Sequence, residues 1–354
     1  MTASTAVPPL FLQLLADRDG SPGALLFGSD IAAASGNAGA AAAAAAADAD
    51  ADGAAAAQLA ALPAAQLGAL AARWPCFYRA QSAAALAAPL LEALGQAGWK
   101  PLDEAALHRA DAVFDTQLAP AVRWVTGDWH LAPPPKPVGN QAASRALALQ
   151  LVQKVAAEAD THEIEALLRH DPTLSYHLLK LVNSLGMGTG RRVSSFSQAI
   201  LILGRQQLRR WLNLMLFSSR SGDMRSAMLL AQVAVRARAL ELLARAAGMD
   251  KHSQEQGFMV GMFSLLGTLF GLPLAEVLRP LPIGEAVQLA LLEHQGELGA
   301  LLALLEQAEA GDFAGLAAGL LATQIEPADF NRIVADANLW MLDVTADGAA
   351  PNHA

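Results

Sequence analysis

Residues 171 to 219, DPTLSYHLLKLVNSLGMGTGRRVSSFSQAILILGRQQLRRWLNLMLFSS, constrain the fold more than any other stretch of the chain. Asp171 with Pro172 is an N-cap followed by proline at the first helical position, where the missing N–H costs no hydrogen bond. Leu174, Leu178, Leu181 and Leu185 then recur at helical spacing, giving one apolar face to a helix that Gly186, Gly188 and Gly190 end. Ser195 with Gln198 forms a capping box for a helix through Leu203. From Arg205 to Ser219, Leu208, Trp211, Leu212, Met215 and Leu216 carry another apolar stripe. Such a segment buries its faces by packing helix on helix.

The flanking sequence extends the pattern. Ser144 to Ala159 repeats apolar residues at helical spacing, and Asp160 with Glu163 caps a short helix through His170. Further helices are expected at Arg225 to Ala246, Gln254 to Phe270, Gly284 to His294, Leu298 to Ala310 and Ala328 to Leu342. Residues 144–342 therefore read as an all-α bundle, with 343–354 a flexible tail. Phe258 to Ala275 is uncharged and of about the minimum length for a membrane span. Gly261, Gly267, Gly271 and Pro273 interrupt it and no basic cluster flanks it, so it reads as a buried core helix.

Residues 1–135 have another texture. Leu10 to Phe27 reads as two strands around Asp17-Arg18-Asp19-Gly20, which is turn chemistry. Residues 31–57 are nearly pure alanine with scattered Asp and Gly, a low-complexity insertion with no stripe large enough to hold a helix on a core. Leu59 to Ala72 and Ala83 to Gln96 are expected helices around a strand at Trp74 to Tyr78. Gly98 to Pro101 breaks the pattern, and strands are expected at Ala110 to Phe114 and Val122 to Leu131. This alternation suggests a small α/β unit. The proline run at 133–143 is a stiff linker and the domain boundary. The whole is thus mainly α, a helical bundle preceded by a small α/β region.

The formal net charge of -9 and pI near 5.3 argue against a protein whose main work is neutralising nucleic-acid phosphates. The single cysteine, Cys76, excludes an intramolecular disulfide and fits a reducing cytoplasm, and the N-terminus has no basic segment of a secretory signal. Arg191, Arg192, Arg205, Arg209 and Arg210 gather in one region of this acidic chain. They either solvate outer helix faces or form an interaction surface for an acidic protein, a nucleotide or nucleic acid. His170 and His177 are separated by the Asp171-Pro172 helix start and read as surface residues. Glu163, Glu165 and Asp171 near His162 could ligate a metal, although a solvated, capped helix face explains them as well. Gly186 to Gly190 lacks the preceding strand that a phosphate-binding loop requires.

Asp171 to Ser184, Val193 to Ser195, Ala199 to Gly204 and Leu208 to Trp211 together resemble the HDOD domain of bacterial signalling proteins, a helical relative of the HD metal-dependent phosphohydrolases. The similarity continues through Gly257 to Leu274, Pro282 to Glu306 and Ala328 to Trp340. More faintly, Asp17 to Gly20 with Ala24 to Phe27 resembles the opening of the EAL domain, a cyclic di-GMP phosphodiesterase module. Gly98 to Asp103, Ala110 to Phe114 and Gly127 to Pro133 follow in the order of that domain's later strands.

These resemblances imply ligand positions that this sequence does not fill. Ser264 and Leu265 stand where the adjacent His and Asp of an HD site would hold a metal. Ala24 falls on the EAL signature glutamate, and Phe114 on its catalytic lysine. The resulting expectation is a non-enzymatic, cytoplasmic signalling or scaffold protein whose HDOD-like domain binds a signalling protein partner. No cofactor and no membrane contact are expected, and cyclic di-GMP is bound weakly or not at all. One alternative is a metal-dependent phosphohydrolase or cyclic di-GMP phosphodiesterase. Another is nucleotide or nucleic-acid binding through the arginines.

Overall fold

A computed structural model of the chain describes residues 9–29, 62–79, 88–133, most of 149–168, 204, 208, 210, 224–279 and 283–348. The N-terminal part is built on a six-stranded mixed sheet. Strands β1 (Leu10–Ala16) and β2 (Pro22–Ser29) form the antiparallel hairpin read from the sequence. In its turn, Asp17 Oδ1 accepts from the backbone N–H groups of Asp19 and Ser21, both at 2.9 Å, and Gly20 takes a φ of 79°. Arg18 reaches from this turn to the carbonyls of Leu118, Ala119 and Val122 and clamps that segment to the hairpin.

Strands β3 (Cys76–Arg79) and β4 (Lys100–Leu102) add in parallel beyond β2. Each is reached through a helix, α1 (Ala64–Ala71) and then α2 (Ala88–Gln96). On the other side, β6 (Trp124–Thr126) joins β1 and pairs in parallel with β5 (Leu107–Arg109), giving the order β4-β3-β2-β1-β6-β5. Alternation along β2 sorts its side chains between two faces. Leu25 and Phe27 enter the main core, whereas Ala24 and Leu26 pack with Leu15 and Leu102 opposite.

Two expected strands are corrected. Residues 110–114 are irregular, because the strand lies just before them, at β5. The strand expected over 122–131 ends at Thr126, since Gly127 turns the backbone to a φ of 100° and a 3-10 turn occupies Trp129–Leu131.

The C-terminal part is helical throughout its described length. It comprises α3 (Thr161–Leu168), α4 (Arg225–Ala246), α5 (Lys251–Phe263), α6 (Leu266–Phe270), α7 (Leu274–Leu278), α8 (Glu285–Glu293), α9 (Gly296–Ala310), α10 (Phe313–Thr323) and α11 (Pro327–Gly348). At its centre, α4 buries Leu229, Val233, Leu240 and Leu243 among small residues such as Ala234 and Ala237. Those small residues admit α5 closely: a Cβ on Gly261 would stand 2.4 Å from Ala237 Cα. The uncharged stretch from Phe258 is not one helix but breaks at Ser264–Leu265 and again at Gly271, with a φ of 66°. No helix among the described residues is long and apolar enough to cross a membrane. Helix α11 continues to Gly348, past the point where a tail was expected.

The sheet and the helices share one apolar core. Leu10, Leu12, Leu25 and Phe27 of the sheet meet Phe330, Val334 and Leu342 of α11 in the same cluster. The insertion at 31–57, the linker beyond Pro133 and nearly all of 171–219 lie outside the described residues.

Candidate functional site

Where the layers meet, they leave a cavity of about 230 Å³. Phe11 to Leu14 of β1 form one wall, the turn around Gly127 to Leu131 another, and Gln232, Val235, Glu306 and Glu309 of α4 and α9 a third. The turn owes its shape to Gly127, whose Cβ, if present, would lie 2.2 Å from the Ala110 carbonyl oxygen. That same carbonyl accepts from the Trp129 N–H at 3.2 Å, which closes the turn and delivers His130 to the helices.

His130 begins a polar chain that crosses the interface. Its Nε2 lies 2.8 Å from Gln232 Oε1, and Gln232 Nε2 donates to Glu309 Oε2 at 2.9 Å. Glu309 also accepts from the Arg236 Nε at 2.9 Å and from its terminal nitrogen, while Arg236 NH1 donates to Ser264 Oγ at 3.0 Å. A side branch runs through Glu306, whose carboxylate is 3.6 Å from Arg236 NH1 and 2.7 Å from His294 Nε2.

Electrostatics follow from burial. Desolvation holds the His130 imidazole below its ordinary pKa, against the opposing pull of its Gln232 hydrogen bond and of Asp128 and Glu309. Desolvation also disfavours the charged Arg236, but Glu309, through charge and hydrogen bonds, and then Glu306 outweigh it and raise its pKa. The resting state therefore pairs a neutral imidazole with a charged guanidinium. Thr126 Oγ1, Trp129 Nε1 and His130 Nδ1 are buried without a hydrogen-bond partner, three such atoms within five residues. Unpartnered buried polar atoms are uncommon in folded proteins and mark strained or functional places.

The residues singled out by sequence have other surroundings. Ala24 is fully buried on the sheet face with Leu15, Leu26 and Leu102, and Phe114 packs edge-on to Trp129 at 4.6 Å. Leu265 belongs to the apolar core. The Ser264 hydroxyl donates to Gly261 O at 2.8 Å and accepts from Arg236, so neither residue fits a metal. Arg210 pairs with Glu241 at 2.5 Å and lies 4.4 Å over the Phe258 ring, which commits it to the interior contacts of the helices. Arg191, Arg192, Arg205 and Arg209 lie outside the described residues, as do His170, Asp171 and His177. Near His162, the Glu163 carboxylate is engaged by Lys154. Among the described residues no group of three His, Cys, Asp or Glu could hold a metal ion.

Sequence reasoning missed the chain from His130 to Arg236. Its members are 102, 77 and 73 positions apart along successive links, and no short motif joins them. The one local signal was Gly127-Asp128-Trp129-His130, where a glycine precedes an aromatic and a histidine.

Comparison with known proteins gives these residues a context. The chain is 32% identical over 199 residues to the cyclic di-GMP phosphodiesterase CdgJ of Vibrio cholerae, covering 56% of this chain and 46% of that one. It is 32% identical over 149 residues to the uncharacterized protein YuxH of Bacillus subtilis, covering 41% of this chain and 36% of the other. The matched regions thus span under half the length of both relatives. No solved structure matches. The relative named as a phosphodiesterase overturns the expectation of a non-enzymatic scaffold and favours the enzymatic alternative. The helical elements, the residues read from sequence and a match to the HDOD domain family at 143–307 agree, and these residues of the chain are an HDOD domain.

Proposed function

We propose that this protein acts on cyclic di-GMP as a phosphodiesterase. The observation that carries the reading is its 32% identity over 199 residues to a protein named for that activity. Hydrolysis would add water across one phosphodiester linkage, the hydroxyl going to phosphorus and the proton to the departing ribose oxygen. The N-terminal mixed sheet is read as a reduced EAL-like unit, joined through the linker at 133–143 to the helical domain at 144–342. Ala24 and Phe114 supply neither ligand nor base, so the chemistry is not routed through them. The cavity around His130, Gln232 and Glu309 is the site that the geometry supports best, because it combines a neutral imidazole, a carboxylate and an apolar wall at a layer interface. Arg191, Arg192, Arg205 and Arg209 are the proposed contact surface for nucleotide phosphates or an acidic signalling partner.

The test is incubation of the purified chain with cyclic di-GMP and either Mg²⁺ or Mn²⁺, with chromatographic detection of the linear dinucleotide. Turnover that falls at least tenfold in His130→Ala supports the site. Absence of turnover above buffer, with the protein folded, ends the phosphodiesterase reading.

A further inference from the structure

Ser264, which the resemblance sets at the position of an HD metal ligand, is contacted here by a charge of the protein's own. Gly261 allows α4 and α5 to touch backbone to backbone, since a Cβ there would lie 2.6 Å from the Arg236 carbonyl carbon. That approach brings Ser264, one turn further along, to within 3.0 Å of Arg236 NH1. From the same guanidinium, Nε and a terminal nitrogen reach across to Glu309 on α9, and Glu306 stands 3.6 Å away. Arg236 is 6% exposed.

We propose that Arg236 is the resident cation of this position, standing in for a divalent metal between Ser264 and Glu309. A metal between Ser264 and Glu309 would compete with five N–H donors of fixed direction for the same space and the same acceptors. The guanidinium neutralises Glu309 and fixes its carboxylate, leaving Oε2 oriented to accept from Gln232 at 2.9 Å. Gln232 in turn presents its oxygen to His130. The charged and titratable groups around Arg236 are Glu309 and Glu306 on α9, with His294 beyond Glu306 and His130 beyond Gln232. The polar wall of the cavity is therefore set by an internal ion pair that needs no metal loading.

The proposal is read from unfolding and is independent of nucleotide turnover, so failure of one does not decide the other. A thermal double-mutant cycle compares Arg236→Met, Glu309→Gln and the double variant. Arg236→Met alone leaves the partly buried Glu309 carboxylate without its cation and lowers Tm on the order of 10 °C. Adding Glu309→Gln to it recovers at least half of that loss. Additive effects of the two substitutions would overturn the proposal, as would an Arg236→Met variant as stable as the parent. The wild-type protein is also melted with and without EDTA. A fall in Tm on chelation that Ser264→Ala abolishes would place a metal at this position and overturn the proposal. An unchanged Tm supports it. A fall that persists unchanged in Ser264→Ala places the chelated cation away from this position and supports the proposal as well.

Discussion

His130 donates its Nε2 proton to Gln232 Oε1 across 2.8 Å, joining the turn that follows β6 to the central helix. The tautomer follows from the next link. Gln232 gives its amide N–H to Glu309, so its oxygen faces the ring and Nε2 must carry the hydrogen. Nδ1 is left bare and buried.

This arrangement sets a pH dependence. Burial depresses the native His130 pKa below its unfolded value of about 6.5, so the unfolded chain takes up a proton that the native one refuses. The contribution to stability is complete above that pH and is lost as pH falls through it toward the depressed native value, with a slope of up to about 1.4 kcal/mol per pH unit. Urea unfolding of wild type and His130→Gln between pH 5 and 8 checks this: the difference between the two curves falls as the pH drops through that window. A difference independent of pH would show that His130 is not the titrating group.

Gly127→Ala is expected to be severely destabilising, by roughly 2–4 kcal/mol. The new methyl would meet the Ala110 carbonyl at 2.2 Å, and a φ of 100° is strained for any residue with a Cβ. Because this turn delivers His130, the variant is also expected to lose the pH-dependent part of its stability. Denaturant unfolding at two pH values measures both effects.

Asn331→Ala removes the side-chain oxygen that accepts from the Leu10 N–H at 2.7 Å in a buried setting. An orphaned backbone donor costs about 1–3 kcal/mol. Hydrogen exchange at the Leu10 amide should accelerate by the corresponding factor, about 5- to 150-fold. Protection unchanged from wild type would mean that another acceptor replaces the amide.

Arg210→Ala should behave as an interior substitution. Its guanidinium side chain is 20% exposed, bonds to Glu241 and covers the Phe258 ring. Removing it leaves Glu241 with Arg238 alone among its arginine partners in the described residues, and is expected to cost about 1–2 kcal/mol. Thermal melting of Arg210→Ala beside Arg332→Ala, an exposed pair with Asp329, gives the comparison. Surface pairs of that kind contribute at most about 1 kcal/mol.

Local chemistry made the hairpin and most helices legible. Asp17 and Gly20 wrote the turn, and α4 runs over the residues that periodicity marked. Helix α10 was missed because Gly315 and Gly319 depress helix propensity. Its N-cap was present all along, with Asp312 Oδ1 accepting from the Gly315 N–H at 2.9 Å. Gly319 has a packing reason invisible in sequence: a Cβ there would meet Leu304 Cδ2 at 2.6 Å. The polar chain at the interface was not legible at all. His130, Gln232, Arg236 and Glu309 are unremarkable singly, and only the docking of a sheet onto distant helices gives them one another.

The bond from Leu10 to Asn331 also sets an order of events during synthesis, since 321 positions separate its ends. At about 5–20 residues per second, roughly 15–60 s pass between the emergence of β1 and that of the helix it leans on. Through that interval the core face of the hairpin, with Leu12 and Phe27, has no α11 to cover it. A hairpin made well before α11 is thus sealed only after it, and premature termination before α11 would leave a sticky sheet for chaperones and proteases to clear.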